Sequence, residues 1–322
     1  MADRIGVIGA GAFGTALAVA QAAAGRQVAL WARDADAVAS MVARRENRTR
    51  LPGVGLPSGL TPIADFNVAA EAPVLLLTVP TQQLRSVLED HAETLAGRTL
   101  VACCKGVELG TGFLPAEVIA DAIPSARAAV LTGPSFAADI ATGKPTALTL
   151  AVAGPSSEAL QATLSTPSLR LYLTDDLTGA QLGGALKNVI AIAAGVTIGA
   201  GLGESARAAL MTRGFAEMMR HAETRGAESE TLHGLSGLGD LVLTCTSEKS
   251  RNYRYGLALG AGDAPPAGTT VEGVATAQAL AALAPADSVP VTAMVAALLD
   301  GRVTLPEAVA LLLSRPLKRE RA

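Results

Sequence analysis

The chain has 322 residues, half of them hydrophobic, with a formal net charge of −3 at pH 7 and a pI near 5.7. This length is enough for two buried cores, so two domains are expected. The acidic balance gives no electrostatic footprint for nucleic acid or anionic lipid, and the short basic tail Lys318–Arg321 does not change that. The three cysteines lack metal-ligand spacing and the even count of a disulfide framework, so we predict reduced thiols, no metal site and a cytoplasmic location.

Strand-like and helical segments alternate along the first half of the chain. The predicted elements are strands Arg4–Ile8, Gln27–Ala32, Val74–Val79 and Thr99–Cys103, helices Phe13–Ala24 and Ala35–Arg45, and β-like segments Ala128–Thr132, Ala147–Val152 and Leu169–Leu173. The strands are apolar throughout rather than on one face, which predicts a mostly parallel sheet with helices on both sides. The first apolar run could be mistaken for a signal peptide, but glycines interrupt it at turn spacing.

From Leu177 onward the pattern becomes helical. The predicted helices there are Ser205–Arg225, Val271–Ala284, Val291–Leu299 and Leu305–Leu313. The segment Leu182–Gly203 is long enough to cross a membrane. A Lys near the centre of a span costs about 2.5–3.5 kcal/mol on insertion scales, so Lys187 argues for a buried helix and against a membrane span. We place the domain boundary near Asp175–Asp176, between a dinucleotide-binding domain, 1–176, and an all-helical substrate and catalytic domain, 177–322.

A glycine-rich turn follows the first strand and opens the first helix. In the sequence GAGAFG, Gly9 makes the tight turn, Gly11 lets the backbone approach a pyrophosphate, and Gly14 lets helix and strand pack closely. The helix N-terminus then binds the anion. The alternative is a glycine-rich turn in an ordinary α/β protein. Because both strands and the helix lie where the fingerprint requires, we predict a Rossmann-type α/β domain that binds a dinucleotide.

The end of the second strand is expected to read the cofactor's ribose, and it carries Arg33 followed by Asp34. Arg33 can receive a 2′-phosphate, which favours NADP. Asp34 leaves NAD possible, and the alternative for Arg33 is a solvated charge at a strand end. Lys105 and the segment Gly133–Ala137 each follow a predicted strand, at the edge of the sheet where such domains bind ligands. The alternative, for each taken singly, is an ordinary exit from a strand into a loop.

Seven motifs in order resemble those of the bacterial NAD(P)-dependent glycerol-3-phosphate dehydrogenase family, over nearly the whole chain. They are GAGAFGTALA at 9–18, CKGVE at 104–108, GPSFA at 133–137, ALKNVI at 185–190, GLGDLVLT at 237–244, SRN at 250–252 and VEG at 271–273. The resemblance implies interconversion of glycerone phosphate and sn-glycerol 3-phosphate. It also implies a place at the head of glycerophospholipid synthesis.

The resemblance assigns roles to individual residues. It implies that Lys187 is the catalytic acid/base and that Lys105 contacts both nucleotide and substrate. The further substrate contacts that we expect are Gly133, Ser135, Lys187, Asn188, Asp240, Ser250, Arg251 and Asn252. With the glycine turn, the cofactor contacts that we expect are Ala12, Phe13, Arg33, Lys105, Ala137, Arg251, Thr270 and Glu272.

The chemistry of these side chains suits a ketone reduction. A hydride acceptor needs a proton donor, and a Lys can serve where burial brings its pKa toward the working pH. Lys187 is the sole charged residue between Asp176 and Glu204. The alternative is that Lys187 snorkels to the helix surface. Asp240 is expected to orient the ammonium. The alternative is that Asp240 is the N-cap of the segment after it.

The phosphate of the substrate calls for a guanidinium with small donors beside it. Given the resemblance, Arg251, between Ser250 and Asn252, is our first choice for this contact. The alternative, from the residues alone, is that Ser250–Asn252 is a polar loop. The three histidines, His91, His221 and His233, lie outside the motifs, and we expect surface or structural roles for them.

Rival functions remain open from the sequence. The nearest are ketopantoate reductase-like or 3-hydroxyacid dehydrogenase-like enzymes, against which the GPSFA and SRN motifs argue. A redox sensor that binds NAD(P) without turnover is a rival from another class, and turnover would separate the two. A homodimer is among the assemblies that the sequence allows.

Overall fold

The computed structural model describes residues 4–155, 157–265 and 270–313, so the basic tail Lys318–Arg321 lies outside the described residues. The described first half of the chain forms one eight-stranded sheet with the order β3-β2-β1-β4-β5-β6-β7-β8. The strands are β1 Arg4–Ile8, β2 Gln27–Trp31, β3 Leu60–Ile63, β4 Val74–Leu77, β5 Thr99–Ala102, β6 Arg127–Thr132, β7 Thr146–Ala151 and β8 Leu169–Thr174. Every neighbouring pair is parallel except β6 and β7. The mostly parallel sheet is therefore confirmed.

Two features of the sheet were not predicted. The strand β3 lies at the edge of the sheet and contains Pro62. A proline inside a short apolar segment argues against a strand, because its nitrogen has no hydrogen to donate to a neighbouring strand. It is tolerated because β3 has a neighbour on one side only. The antiparallel pairing of β7 with β6 is also new, since the alternation of apolar runs does not encode strand direction.

Helices cover both faces of the sheet, as expected. They are α1 Ala12–Ala23, α2 Ala35–Arg44, α3 Phe66–Ala70, α4 Thr81–Asp90, α5 Ala92–Leu95, α6 Pro115–Ala122, α7 Ala137–Ala141 and α8 Ser157–Leu164. On one face, residues of α1 and α8 share one buried cluster with Ile5 and Val7. On the other face, residues of α3, α4 and α6 share a second buried cluster with Ile8 and Leu75. Inner strands such as β1 and β4 thus bury both of their faces, which explains their continuous hydrophobicity, whereas the edge strand β8 exposes Arg170 and Tyr172.

The described residues after β8 are helical. They form α9 Leu177–Gly199, α10 Glu204–Thr224, α11 Ser229–His233, one π-helical turn Leu235–Gly239, α12 Asp240–Cys245, α13 Arg251–Ala261, α14 Glu272–Leu283, α15 Pro290–Leu299 and α16 Leu305–Leu313. Among them, α9 has the length and hydropathy of a membrane span, but 83% of its apolar window is buried inside the protein. Its hydrophobicity is used by the core of the helical domain, as predicted from Lys187.

The glycines of α9 have a packing role. Gly195 and Gly199 face Gly256 and Gly260 of α13, and both pairs are spaced by four residues. A Cβ atom on any of the four would lie 2.0–2.3 Å from a backbone oxygen of the other helix. The two backbones therefore pack directly against each other, a contact that any side chain at these positions would prevent.

Candidate active site

The dinucleotide turn has the geometry that its glycines predict. Gly9 adopts φ +113°, and a Cβ on Gly14 would lie 2.1 Å from the carbonyl oxygen of Gly9. A Cβ on Gly11 would meet no atom within 4 Å, which leaves open space in front of α1. The first turn of α1 has neither an acidic residue nor a side-chain cap. Its N–H groups and this space fit a pyrophosphate, and Ala12 and Phe13 begin the same helix.

A buried side chain outside the seven motifs supports this turn. Asn47, 6% exposed, donates from Nδ2 to the carbonyl oxygen of Ala10 at 3.0 Å and to Thr15 Oγ1 at 2.9 Å. It ties the segment after α2 to the phosphate-binding turn. Sequence reasoning missed Asn47 because no local pattern links it to a turn 37 residues away.

The two candidate cofactor-reading residues have different surroundings. Asp34 is the N-cap of α2, and its Oδ1 accepts from the N–H groups of Asp36 at 3.0 Å and Ala37 at 3.2 Å. Arg33 is exposed at the tip of β2. The carboxylate of Asp34 is thus used by its own helix, which weakens the case for Asp34 as a ribose ligand.

Two lysines from different parts of the chain share one buried carboxylate. Asp240 is fully buried, and its Oδ1 accepts from Lys187 Nζ at 2.6 Å while its Oδ2 accepts from Lys105 Nζ at 2.7 Å. Lys105 also donates to the carbonyl oxygen of Gly133 at 2.9 Å, and Lys187 donates to Thr244 Oγ1 at 2.7 Å. The loop after β5, the middle of α9, the start of α12 and the loop after β6 therefore meet at one point.

The electrostatics of this cluster suit proton transfer near neutral pH. Burial lowers the pKa of Lys187 to about 8, and the nearby Lys105 ammonium lowers it as well. The carboxylate of Asp240 opposes both effects and raises it. An ammonium with a pKa this close to the working pH can both give and take a proton.

Two alternatives from the sequence are wrong. Lys187 lies in the middle of α9 and is 6% exposed, so it does not snorkel to the surface. Asp240 is the first residue of α12 rather than its N-cap, which is Gly239, and no side-chain cap is formed there. Its carboxylate is instead directed at the lysines.

The sequence analysis did not single out Thr244, although the residue ends the GLGDLVLT motif. It lies four residues after Asp240, one turn further along α12, and its hydroxyl also donates to Asp240 Oδ1 at 3.3 Å. The i,i+4 spacing from an expected site residue is the signal that could have found it.

A chain of amides joins the back of this cluster to two further helices. Asn188 donates from Nδ2 to the carbonyl oxygen of Lys105 at 3.2 Å and accepts at Oδ1 from Asn252 Nδ2 at 2.9 Å. The Oδ1 of Asn252 accepts from the N–H of Gly273 at 3.0 Å. Both amides thus fix the protein around Lys105 and the start of α14, in addition to any contact they make with a ligand.

The other expected ligand contacts lie at the starts of helices or beside the lysines. Glu272 begins α14, accepts at Oε1 from Thr81 N–H at 3.2 Å, and has its pKa raised by burial. Ser250 is the N-cap of α13 and accepts at Oγ from Tyr253 N–H at 3.2 Å, while Arg251 begins that helix and is exposed.

Three expected contacts remain, two of them in loops. Ser135 Oγ donates to the carbonyl oxygen of Gly133 at 3.4 Å, and Ala137 begins α7. Thr270 is exposed, two residues before Glu272.

His91 contacts an aromatic ring and His233 contacts a backbone oxygen, and neither contact involves the lysine cluster. His91 stacks on Phe66 with ring centroids 3.5 Å apart, and His233 Nδ1 lies 3.0 Å from the carbonyl oxygen of Ser229. Burial lowers the pKa of His221. These contacts are consistent with surface or structural roles.

Comparison with known proteins identifies relatives along the whole chain. Two family models match, described as NAD-dependent glycerol-3-phosphate dehydrogenase N-terminus over residues 4–158 and C-terminus over residues 176–310. A glycerol-3-phosphate dehydrogenase [NAD(P)+] of Cereibacter sphaeroides is 59% identical over 98% of this chain and 100% of that protein. One of Roseobacter denitrificans is 56% identical over 98% and 99%.

Solved structures agree with these matches. The crystal structure of a glycerol-3-phosphate dehydrogenase from Coxiella burnetii has a TM-score of 0.92 at 37% identity, covering 97% of this chain and 99% of that one. A ketopantoate reductase from Ralstonia eutropha reaches a TM-score of 0.60 at 17% identity, covering 93% and 99%. That second likeness shows the fold alone.

Proposed function

Since the chain belongs to the family of NAD-dependent glycerol-3-phosphate dehydrogenases, we infer that it interconverts glycerone phosphate and sn-glycerol 3-phosphate with NAD(P) as cofactor. The observation that carries the proposal is the buried Lys187–Asp240–Lys105 cluster at the carboxyl edge of the sheet. Ligands of open α/β sheets bind at this edge.

We propose that the cofactor is held by the turn Gly9–Gly14, with Arg33 at its ribose. The open space at Gly11 and the uncapped first turn of α1 support the pyrophosphate position. The exposure of Arg33 and the engagement of Asp34 as a helix cap favour NADP over NAD. When bound, the reduced nicotinamide supplies the hydride that adds to the carbonyl carbon.

Lys187 is the proton donor in this proposal. As negative charge develops on the carbonyl oxygen, Nζ of Lys187 donates a proton to it, and in the reverse direction the neutral amine removes the hydroxyl proton. Asp240 and Thr244 hold Nζ in place, at 2.6 Å and 2.7 Å. The pKa of about 8 sets the sign of the pH dependence. Reduction slows as pH rises through about 8, and oxidation accelerates over the same range.

Lys105 and Arg251 provide the positive charge that the substrate needs. Lys105, fixed by Asp240 and the carbonyl oxygen of Gly133, is proposed to contact both nucleotide and substrate. Arg251, exposed at the start of α13, is proposed to bind the phosphate through its planar fork. Ser135, Ser250 and the amides of Asn188 and Asn252 complete the proposed substrate site.

We further propose a boundary between the two domains at residues 176 and 177. The last strand ends at Thr174 and α9 begins at Leu177. Asp176 caps α9 through a 2.7 Å bond from Gly179 N–H and accepts from Glu228 N–H at 2.9 Å. A cytoplasmic enzyme that supplies glycerol 3-phosphate for glycerophospholipid synthesis is the biological role that we propose.

The test follows NADPH absorbance with glycerone phosphate, ketopantoate and 3-oxoacids in parallel, in wild type and in Lys187→Met. A positioned proton donor contributes about 10²–10⁴-fold, so kcat with glycerone phosphate should fall by that factor while NADPH binding survives. Lys144, an exposed lysine paired with Asp139, offers the control Lys144→Met, which should keep wild-type activity. A Lys187→Met rate within threefold of wild type would transfer the role to another group, and preferential use of another ketone would overturn the proposed substrate.

A further inference from the structure

The loop that carries Lys105 is long and is held near its middle by a partly buried ion pair. It joins β5, which ends at Ala102, to α6, which begins at Pro115. Gly110 and Gly112 in this loop adopt φ +86° and +74°. A loop of this length needs contacts of its own to keep a side chain at a fixed point.

One of these contacts is an ion pair between Arg85 and Glu108. Arg85 lies on α4 and donates from Nε to Glu108 Oε1 at 2.9 Å and from Nη2 to Oε2 at 3.0 Å. Arg85 also donates from Nη1 to Asp121 Oδ2 at 2.6 Å. The side chain of Glu108 is 10% exposed and that of Arg85 is 25% exposed. A two-point, partly buried pair of this kind fixes direction as well as distance.

The pKa of Glu108 reflects its hydrogen bonds. Burial alone would raise the pKa of Glu108, but hydrogen bonds from Arg85 and Thr111 hold it below its ordinary value. The carboxylate is therefore kept charged and paired across the neutral pH range. Its own backbone closes the loop, because Glu108 N–H donates to the carbonyl oxygen of Phe113 at 2.9 Å.

A second side chain of α4 holds the same segment. Gln82 donates from Nε2 to the carbonyl oxygen of Val107 at 2.7 Å and accepts at Oε1 from Leu109 N–H at 3.0 Å. Gln82 and Arg85 are one helical turn apart, so both point from one face of α4. Together they grip the three residues Val107–Leu109, which begin two residues after Lys105.

We propose that Arg85 and Glu108, with Gln82, are positioning residues that set where the ammonium of Lys105 lies against Asp240. This inference rests on the proposed role of Lys105. Without the grip from α4, the loop after β5 would keep its fold in outline but would let Lys105 move away from Asp240 Oδ2 and the carbonyl oxygen of Gly133. A misplacement of about 1 Å can cost about 10²-fold in rate.

The charge of Lys105 gives this role a distinctive readout. The groups that act on Lys187 are the carboxylate of Asp240, the ammonium of Lys105 and the thiol of Cys245. Since the ammonium of Lys105 lowers the pKa of Lys187, moving that ammonium away from Lys187 should raise the pKa. The limb of the pH–rate profile due to Lys187 should then move to higher pH, which a general loss of stability would not cause.

The experiment is a double-mutant cycle between Lys105→Met and Glu108→Ala, measured as kcat/KM for glycerone phosphate over a range of pH. If Glu108 acts through Lys105, Glu108→Ala should lower kcat/KM by tens of fold, up to about 10²-fold, in wild type. In the Lys105→Met background, Glu108→Ala should lower kcat/KM by less than about twofold, because the residue through which Glu108 acts is already gone. Glu108→Ala and Lys105→Met should both shift the pH limb upward.

Controls separate the possible failures. Arg4→Ala breaks an exposed pair with Glu71 at the amino end of β1, the opposite edge of the sheet, and should leave kcat/KM and the pH limb unchanged. If Glu108→Ala does not fold, Glu108→Gln keeps its size and one acceptor, and the same cycle is run with it.

Additive effects with an unshifted limb would overturn the positioning role. A Lys105→Met enzyme with wild-type kcat/KM would instead overturn the proposed role of Lys105.

Discussion

The carboxylate of Asp240 is the most informative single group to remove. Asp240→Asn keeps the size of a fully buried side chain but deletes the negative charge that faces two ammonium groups, at 2.6 Å and 2.7 Å. Because Asp240 raises the pKa of Lys187 while burial and Lys105 lower it, its removal should drop that pKa below the wild-type value of about 8. Lys187 would then be neutral at working pH and would lack the proton that reduction needs.

The size of the effect follows from the distance. A charge of opposite sign within ~4–6 Å shifts a pKa by about 1–3 units, so the pKa of Lys187 should fall by about that much in the variant. At a pH above the wild-type pKa, the protonated fraction of Lys187 should therefore fall by about 10–10³-fold. Loss of the proton alone would slow reduction in proportion, and misorientation of Nζ would add to this.

The assay measures the rate of NADPH oxidation by wild type and by Asp240→Asn with saturating glycerone phosphate, over a range from about pH 5.5 to about pH 9. In the variant the falling limb should move to lower pH, and much of the lost rate should return at the acidic end. In the oxidation direction the rising limb should move down as well. If the rate fell by the same factor at every pH and the falling limb stayed at the wild-type pH, the electrostatic role of Asp240 would be refuted.

Two further predictions concern the ligands. Arg251→Ala should raise KM for glycerone phosphate steeply and leave turnover of dihydroxyacetone nearly unchanged, and Arg251→Lys should restore little because the planar fork is lost. Equal losses with both substrates would assign Arg251 to the cofactor or to the fold. Arg33→Asp should weaken NADPH more than NADH by one to two decades, since a charge-assisted phosphate contact is worth about 1.5–3 kcal/mol. The ratio of the two cofactor KM values measures this, and an unchanged ratio would remove Arg33 from the site.

Much of the fold could be predicted from local pattern. The strand Arg4–Ile8 has the predicted bounds, and α1, β2 and α2 end within one residue of prediction. These elements depend on hydrophobic spacing and on glycines, which neighbouring residues determine. The strand β3 could not be predicted, because its Pro62 is acceptable only at an edge, and position in a sheet is a property of the whole fold.

The candidate site was predictable as a set of residues but not as an arrangement. Motif order identified Lys105, Lys187 and Asp240, yet it left Asp240 open as a helix cap and Lys187 open as a surface residue. Packing decided both, by placing the two ammonium groups on the two oxygens of one carboxylate. Packing also brings Thr244 into contact with Lys187. The amides of Asn188 and Asn252 form hydrogen bonds with backbone groups of Lys105 and Gly273.

The sequence by itself determined the dinucleotide turn and the alternation of strands and helices, because both rest on residue types at short spacing. The ketone-reducing chemistry was implied by the family resemblance that the seven motifs carry. Only the tertiary structure decided the pKa of Lys187. Its partner Asp240 lies 53 residues further along the chain, and Lys105 lies 135 residues before Asp240. Burial and the fields of these charges depend on distances of a few ångströms between segments far apart in sequence, and such distances exist only once the helices have packed against the sheet.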